Sequence, residues 1–357
     1  MRLALVCCAN GLGHVKRLIE IIVQLADRVF LPSIALFCEE YQVNEIEKWD
    51  RFQLLSGRVK MEITPVSLPV RWRVNEDYYG EWLLDWHDTM ATWRLDRFDH
   101  VISDNLVEPL FHTDHVTLIG SFLWHEVLRE AFPNNGVIRR YRGQCKGLLN
   151  AKRIDMIANC YFATPGVYDQ TKLHKVGLIH FCPSKDIAAK NRSGKRALIA
   201  VGGAQLGDGG FEQLCSVVPL LQQVGIKALA PPWLCDSLAD RFDGIEAFTF
   251  WSGDFASMDI AIIRGGLGTI SDCIAAKVPM FYLDDPNPEI NFNQTRLSNM
   301  GIGLSVRQLL NEGPELLMDN ALFQDMRSSM SGLNLRGEIE AADVLERLLQ
   351  DNRSGLN

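Results

Sequence analysis

At about 150 residues per domain, a chain of 357 residues has room for two domains. Apolar residues make up 47% and charged residues 22%, which is the composition of a folded globular protein and excludes general disorder. Its 36 Lys and Arg against 44 Asp and Glu give a net charge of −8, which argues against nucleic acid as a partner, since phosphate binding needs a basic footprint.

The first predicted element is a buried parallel strand over 2–9, followed by the turn Asn10-Gly11-Leu12-Gly13-His14. Val15, Leu18, Ile19, Ile22 and Leu25 then recur at helical spacing. Further strands are expected over 33–38, 59–66, 100–104, 116–120 and 154–158, with helices over 41–50 and 122–132. Trp72, Trp82, Trp86 and Trp93 crowd into 71–98, a stretch read as a loop entering a helix near Glu81. The stretch 134–150 is basic and carries no clear pattern.

The polar segment around 184–194 is the expected linker. After it the plan restarts: a strand over 196–201, a glycine turn, a helix over 211–224 and a strand over 226–230. A strand over 259–263 leads into Arg264-Gly265-Gly266-Leu267-Gly268-Thr269 and a helix. A strand over 278–283, a helix over 294–300 and a final amphipathic helix from 337 complete the pattern. Strands alternating with helices imply an α/β fold built from parallel β-α-β units. The expected domains are 1–183 and 195–336, with 337–357 packing back on the first.

No stretch approaches the roughly 20 apolar residues that span a bilayer. The opening apolar run is too short for a secretory h-region. The nine cysteines form no C-x-x-C pair, and Cys7, Cys8, Cys38, Cys160 and Cys273 sit in apolar surroundings. That reads as reduced, buried thiols in a cytoplasmic protein. Peripheral membrane contact stays open.

The clearest chemistry lies between Ile262 and Gly303. Gly265, Gly266 and Gly268 permit a turn too tight for side chains, and the helix beginning near Thr269 offers unpaired N–H groups that favour phosphate. Asp272, placed in its first turn, is suited to a ribose diol. The competing reading is a plain strand–helix turn that needs glycine for packing. Gly202, Gly203 and Gln205 form a second glycine turn after a strand. In the first half, His14 heads a helix beside a glycine turn, where a neutral imidazole can take a proton. Asp104, at the end of a strand in the same sheet, is its candidate partner. Here the competing reading is that His14 merely caps a helix and Asp104 an exposed turn.

The 262–303 segment resembles the donor-binding signature of GT-B fold nucleotide-sugar glycosyltransferases, families 28 and 1, and most of all the N-acetylglucosaminyl transferase that makes lipid II. Arg264, Gly266, Thr269, Asp272, Pro279, Glu289, Asn293, Leu297 and Gly301 occupy the places of that pattern. Asp272 stands where Glu is usual, and Ile290 where Gln often follows. The Gly202-Gly203-Ala204-Gln205 turn and the Gly11-Leu12-Gly13-His14 loop are similar to further segments of the same enzymes.

The resemblance implies two Rossmann-like domains facing across a cleft and a metal-independent inverting transfer of sugar from a nucleotide sugar, UDP-linked first of all, to an unidentified acceptor hydroxyl. It implies no cofactor. His14 and Asp104 become the catalytic pair. The donor set is Gly202, Gly203, Gln205, Trp251, Arg264, Gly265, Gly266, Gly268, Thr269, Asp272, Glu289 and Asn293. The acceptor set is Asn10, Gly11, Gly13, Trp72, Tyr79, Trp124 and His125. Trp82, Trp86 and Trp93, spaced by 4 and 7, read instead as one helical stripe in the core. Arg17 is expected to face solvent or phosphate. Asp284-Asp285 is the one acidic pair that mimics a metal motif. Alternatives are a UDP-sugar hydrolase, a non-catalytic nucleotide-sugar-binding subunit and, least of all, an epimerase.

Overall fold

Apolar runs too short to be helices pair into two wholly parallel sheets in this computed structural model, which describes residues 1–181, 194–202, 208–248 and 255–354. The first sheet contains β1 (Arg2–Val6), β2 (Ser33–Cys38), β3 (Lys60–Pro65), β4 (His100–Asp104), β5 (Val116–Ile119), β6 (Asp155–Asn159) and β7 (Lys172–Val176). Their order across the sheet is β3-β2-β1-β4-β5-β6-β7. The second contains β8 (Arg196–Ala200), β9 (Lys227–Ala230), β10 (Glu246–Ala247), β11 (Ile260–Ile263), β12 (Met280–Tyr282) and β13 (Gly303–Ser305), ordered β10-β9-β8-β11-β12-β13. The central strands are buried along almost their whole length, as parallel strands covered by helices must be.

In each sheet the first strand sits inside, flanked by strands wound in opposite directions. β1 pairs with β2 and β4, with Val6 opposite Ser103; β8 pairs with β9 and β11, with Ala200 opposite Ile263. Such a reversal of strand order opens a crevice beyond the carboxyl ends of the strands. The loops after β1 and β4 therefore meet in one unit, and those after β8 and β11 meet in the other.

The chain divides into two units, Met1–Ile179 with Asn287–Glu289 and Asn334–Asn357, and His180–Pro286 with Ile290–Leu333. In the first, α1 (Leu12–Ala26) buries Val15, Leu18, Ile19, Ile22 and Leu25. The last helix, Gly337–Ser354, packs on α1, β6 and β7. Backbone bonds Leu178 N–H to Asn334 O (2.8 Å) and Gly337 N–H to Leu178 O (3.1 Å) fix its start. Among the described residues, no helix is long and apolar enough to cross a membrane.

Two stretches depart from the expectation. Residues 136–152 form one helix, Gly136–Lys152, capped by Asn135 accepting from Val137 and Ile138. Ile138, Tyr141, Cys145 and Leu149 face inward, a helical period hidden by the arginines between them. The Trp-rich segment makes one α-helical turn, Trp82–Asp85, and continues as a 3-10 helix, Trp86–Trp93. There Thr89 Oγ1 donates to the Trp86 carbonyl at 2.7 Å and Thr92 Oγ1 to that of Thr89 at 2.9 Å, competing with the backbone ladder. Trp86 is buried, and Trp93 stacks on Phe37 with ring centroids 5.2 Å apart.

Beneath that segment lies a fully buried acid. Glu108 Oε1 accepts from Trp86 Nε1 at 3.2 Å and from the Tyr141 hydroxyl, while Oε2 has no partner among the described residues. Burial pushes its carboxyl up to about 7, against the lowering effect of those donors. An unfolded glutamate ionises in the ordinary carboxylate range, so the fold has its full stability at low pH and loses some as pH rises toward 7. Glu108→Gln keeps both acceptor contacts and removes the ionisation. The variant should melt close to wild type at pH 4 and be more stable at pH 8, by on the order of 3 kcal/mol. Thermal melts at the two pH values check this; equal melting curves at pH 8 would show that the carboxyl carries no such cost.

Candidate functional site

The loop after β1 is held rigidly from the helix Glu40–Ile46. Gly11 N–H donates to Tyr41 Oη at 2.9 Å, and the Tyr41 hydroxyl donates to Ala9 O at 2.6 Å. Gln42, fully buried, donates through Nε2 to the carbonyls of Cys8 and Gly11, both at 2.9 Å. Asn10 Oδ1 accepts from the Trp72 backbone N–H at 3.1 Å. This frame presents Gly13 and His14 at the start of α1.

His14 Nδ1 lies 2.6 Å from Asp104 Oδ1 at the end of β4. The Asp104 side chain is wholly buried and that of His14 is 14% exposed. Arg17, one turn along α1 from His14, closes on the other carboxylate oxygen: Nε and Nη2 donate to Oδ2 at 3.0 and 2.6 Å. Nη2 also lies 3.1 Å from His14 Nδ1. Asn105 Nδ2 donates to Asp104 Oδ1 at 3.1 Å. Burial opposes ionisation of Asp104, but the Arg17 guanidinium and His14 outweigh it and hold the carboxyl below its usual range. A buried carboxylate bonded to Nδ1 sets the tautomer in which Nδ1 carries the proton and Nε2 the lone pair. Among the described residues, no hydrogen bond engages Nε2.

Asn105 takes φ +56°, a left-handed conformation that asparagine tolerates better than most residues. It lies against Gly120, where an added Cβ would sit 1.6 Å from Asn105 Oδ1. Phe122 meets the His14 ring edge-on at 6.2 Å.

Four aromatic and imidazole side chains expected at an acceptor surface lie instead in the core of the first unit. Trp72 stacks on Phe132 at 5.9 Å, and the Tyr79 hydroxyl donates to Arg71 O at 2.9 Å. Trp124 donates through Nε1 to Cys8 Sγ at 3.3 Å. His125 has no exposed surface; it hydrogen-bonds Gln170 Oε1 at 2.9 Å, and burial pushes its pKa down to about 4. Large apolar rings yield more when buried together than when spread along a surface, and the unit's centre collects them.

In the second unit the helix Leu267–Ala275 follows β11 directly, with Gly266 as its N-cap. No side chain caps it and no acid occupies its first turn, so its leading N–H groups lack side-chain acceptors among the described residues. Gly265 adopts φ +110°, and an added Cβ would crowd Gln294 Cγ at 3.2 Å and Ile290 Cγ2 at 3.3 Å. Asn293 and Gln294 tie the turn down, donating to Gly265 O at 3.1 Å and Arg264 O at 2.8 Å. Gly268 and Thr269 lie partly exposed in the first turn.

Three donor candidates stand differently from expectation. Because the helix begins at Leu267, Asp272 falls beyond the first turn; it is buried and accepts from Phe181 N–H at 2.7 Å. Arg264 spends its guanidinium on the buried carboxylate of Asp285. Glu289 heads the helix Pro288–Asn299, where Asn287 Oδ1 accepts from its N–H at 3.0 Å, and it groups with the first unit. Gly202, after β8, takes φ +73° with open space at its missing Cβ. Gly203, Gln205 and Trp251 lie outside the described residues.

Among the described residues, no group of three His, Cys, Asp or Glu could hold a metal ion. Asp284 and Asp285 part company, the first to Gln213 and Arg307, the second to Arg264. Arg17, Asn105, Tyr41 and Gln42 were absent from the expected site. For Arg17 the signal was its i+3 spacing from His14, which puts both on one helix face.

No protein-family model matches the chain, and no curated protein matches it. Solved structures do. The glycotransferase of kitacinnamycin aligns at TM-score 0.65 and 16% identity, over 97% of this chain and 98% of that one. UGT2 of Phytolacca americana, solved with UDP-2-fluoro-glucose and pterostilbene, aligns at TM-score 0.63 and 12% identity, over 99% of each chain. The glycosyltransferase VinC, solved with dTDP, aligns at TM-score 0.57 and 14% identity, over 98% of this chain and all 100% of the other. The fold is that of the GT-B glycosyltransferases: two Rossmann-like α/β domains.

Gly120→Ala forces Asn105 away from Asp104, since the new methyl and Oδ1 cannot share the space. It should cost about 1–3 kcal/mol, the usual range for overpacking. A thermal midpoint within error of wild type would show that Asn105 moves freely.

Proposed function

We propose that the chain is a metal-independent inverting glycosyltransferase that moves a sugar from a UDP-sugar to an acceptor hydroxyl. The observation that carries this reading is the 2.6 Å contact between His14 Nδ1 and the buried Asp104 carboxylate, at the strand-order reversal of the first sheet. A histidine oriented through Nδ1 by a carboxylate, with Nε2 unengaged, has the form of a general base.

In this reading the acceptor hydroxyl gives its proton to His14 Nε2 while its oxygen bonds to the anomeric carbon. The bond from that carbon to the diphosphate oxygen breaks, and the nucleoside diphosphate leaves with the electron pair. Attack opposite the leaving group inverts the anomeric centre. Asp104 stays ionised and stabilises the imidazolium as it forms. Asn10, Gly11 and Gly13 line the acceptor side.

The second unit carries the donor set apart from Glu289, which groups with the first. The N–H groups at the start of Leu267–Ala275, with Gly265, Gly266, Gly268 and Thr269, receive the diphosphate and stabilise its charge as it departs. The Gly202–Gln205 turn adds amides, Asp272 and Glu289 take hydroxyls of ribose and sugar, and Trp251 meets the base. Arg264 and Asn293 act by holding Asp285 and the Gly265 turn. The neighbours solved with UDP, dTDP and UDP-2-fluoro-glucose support a nucleotide-sugar donor.

A thermal-shift panel of UDP, dTDP, GDP and CMP sugars is the first test. A ligand of the folded state at 100 times its Kd adds about 2.7 kcal/mol, and UDP-sugars should give the largest rise. Stabilisation by none would overturn the proposal. With the stabilising donor, His14→Ala should lower kcat by about 10²–10⁴ while leaving the nucleotide-induced shift intact. Release of free sugar without any acceptor would make the enzyme a hydrolase. Asp272→Asn keeps an acceptor for the Phe181 N–H and should weaken the nucleotide-induced shift with little change in the melting point of the unliganded protein.

A further inference from the structure

The carboxylate beside His14 has a second cationic neighbour. Asp104 is fully buried, and its two oxygens are divided: Oδ1 meets His14 Nδ1 at 2.6 Å, and Oδ2 receives Arg17 Nε and Nη2 at 3.0 and 2.6 Å. The Arg17 side chain is itself only 11% exposed. A buried charge must be balanced, because the dielectric that strengthens the pair also penalises the lone ion. Were His14 the only partner, the carboxylate would draw a proton onto the imidazole and hold it as the imidazolium. An imidazolium has no lone pair and cannot act as a base.

Arg17 changes that balance. One guanidinium against one carboxylate makes a neutral set, and the imidazole need not carry charge. The two-point grip on Oδ2 also fixes the carboxylate plane, which aims Oδ1 at Nδ1. The remaining neighbours among the described residues are uncharged or engaged elsewhere. The Cys8 thiol just after β1 is pushed up to about 12 by burial, and burial raises that of Cys7 well above the ordinary thiol range, so both stay protonated. Asn105 and Phe122 are neutral, and Lys16 on α1 lies over the Trp49 ring.

We infer that Arg17 is a positioning residue, which by clamping and neutralising Asp104 keeps His14 uncharged and ready to accept a proton at Nε2. This rests on the reading of His14 as general base.

The experiment compares wild type, Arg17→Gln and Arg17→Lys, using kcat/KM against pH with the stabilising nucleotide sugar and ¹⁵N NMR of the His14 ring, assigned with His14→Gln. In Arg17→Gln the acid limb of the profile should move up by about one pH unit or more, the scale of a neighbouring charge. KM for the donor should stay within about twofold, since Arg17 belongs to the other unit. Arg17→Lys should bring the limb most of the way back. A uniform loss of activity with the limb unmoved would overturn the inference and leave Arg17 a structural residue.

The NMR separates this from the parent proposal. If no nucleotide sugar is turned over, the His14 ring nitrogens in Arg17→Gln should still stay doubly protonated to higher pH than in wild type; signals that follow the wild-type curve would sink the inference. Should Arg17→Gln fail to fold, Asp104→Asn is compared with the double variant Asp104→Asn/Arg17→Gln. The ring should lose its second proton at lower pH where Arg17 is retained, and coincident curves would overturn the inference.

Discussion

Everything around the catalytic candidate follows from one buried negative charge. Asp104 ends β4 beside β1, and the sheet order leaves its carboxylate no solvent. A desolvated carboxylate is tolerated only where several donors meet it. Helix α1 supplies two of them, His14 and Arg17, because residues three apart share a face. Asn105 supplies another at the expense of a left-handed backbone, and Gly120 supplies the room. Each would be an oddity alone; together they solve one electrostatic problem.

The second unit uses the same topology without the same solution. Its strand-order reversal lies between β8 and β11, yet the acid nearby, Asp285, is already matched by Arg264. What the turn after β11 presents is backbone: a helix start with no capping side chain and no acid in its first turn. Such an end carries partial positive charge, and glycine keeps the approach to it open. One parallel architecture thus carries a histidine oriented on a buried carboxylate in one copy and an uncapped helix start behind a glycine turn in the other. That division of labour suits a reaction in which one partner must be deprotonated and the other must depart as an anion.

Much of this was legible in the sequence where burial is uniform. β1, β8 and β11 are apolar runs after at most one leading arginine, and the glycine turns follow these runs in sequence. Legibility failed where two demands share a segment. The helix Gly136–Lys152 buries a regular apolar set but interleaves arginines that form ion pairs, as Arg142 does with Glu126. The edge strand β7 is half polar, because one of its sides has no neighbour to cover it. Trp72 was misplaced because type alone does not separate a ring that stacks on a ligand from one that stacks on Phe132. At the site, His14 stood out at the head of a helix beside a glycine turn and Asp104 at the end of a strand. Arg17 did not, since an arginine in a helix is ordinarily a solvated residue; only the tertiary pairing gives it a role.

Fold alone does not decide between an enzyme and a protein that merely holds a nucleotide sugar, since both fit the same two-sheet plan and the neighbours share only 12–16% of their residues with this chain. The first unit does bear on that choice. Holding a nucleotide sugar makes no use of an imidazole oriented on a desolvated carboxylate. Such an arrangement costs stability, because replacing buried ion pairs with apolar side chains is often neutral or stabilising. A binding subunit would gain nothing from keeping His14, Asp104 and Arg17 together against that cost. A base that must be neutral before attack and charged after it gains from all three.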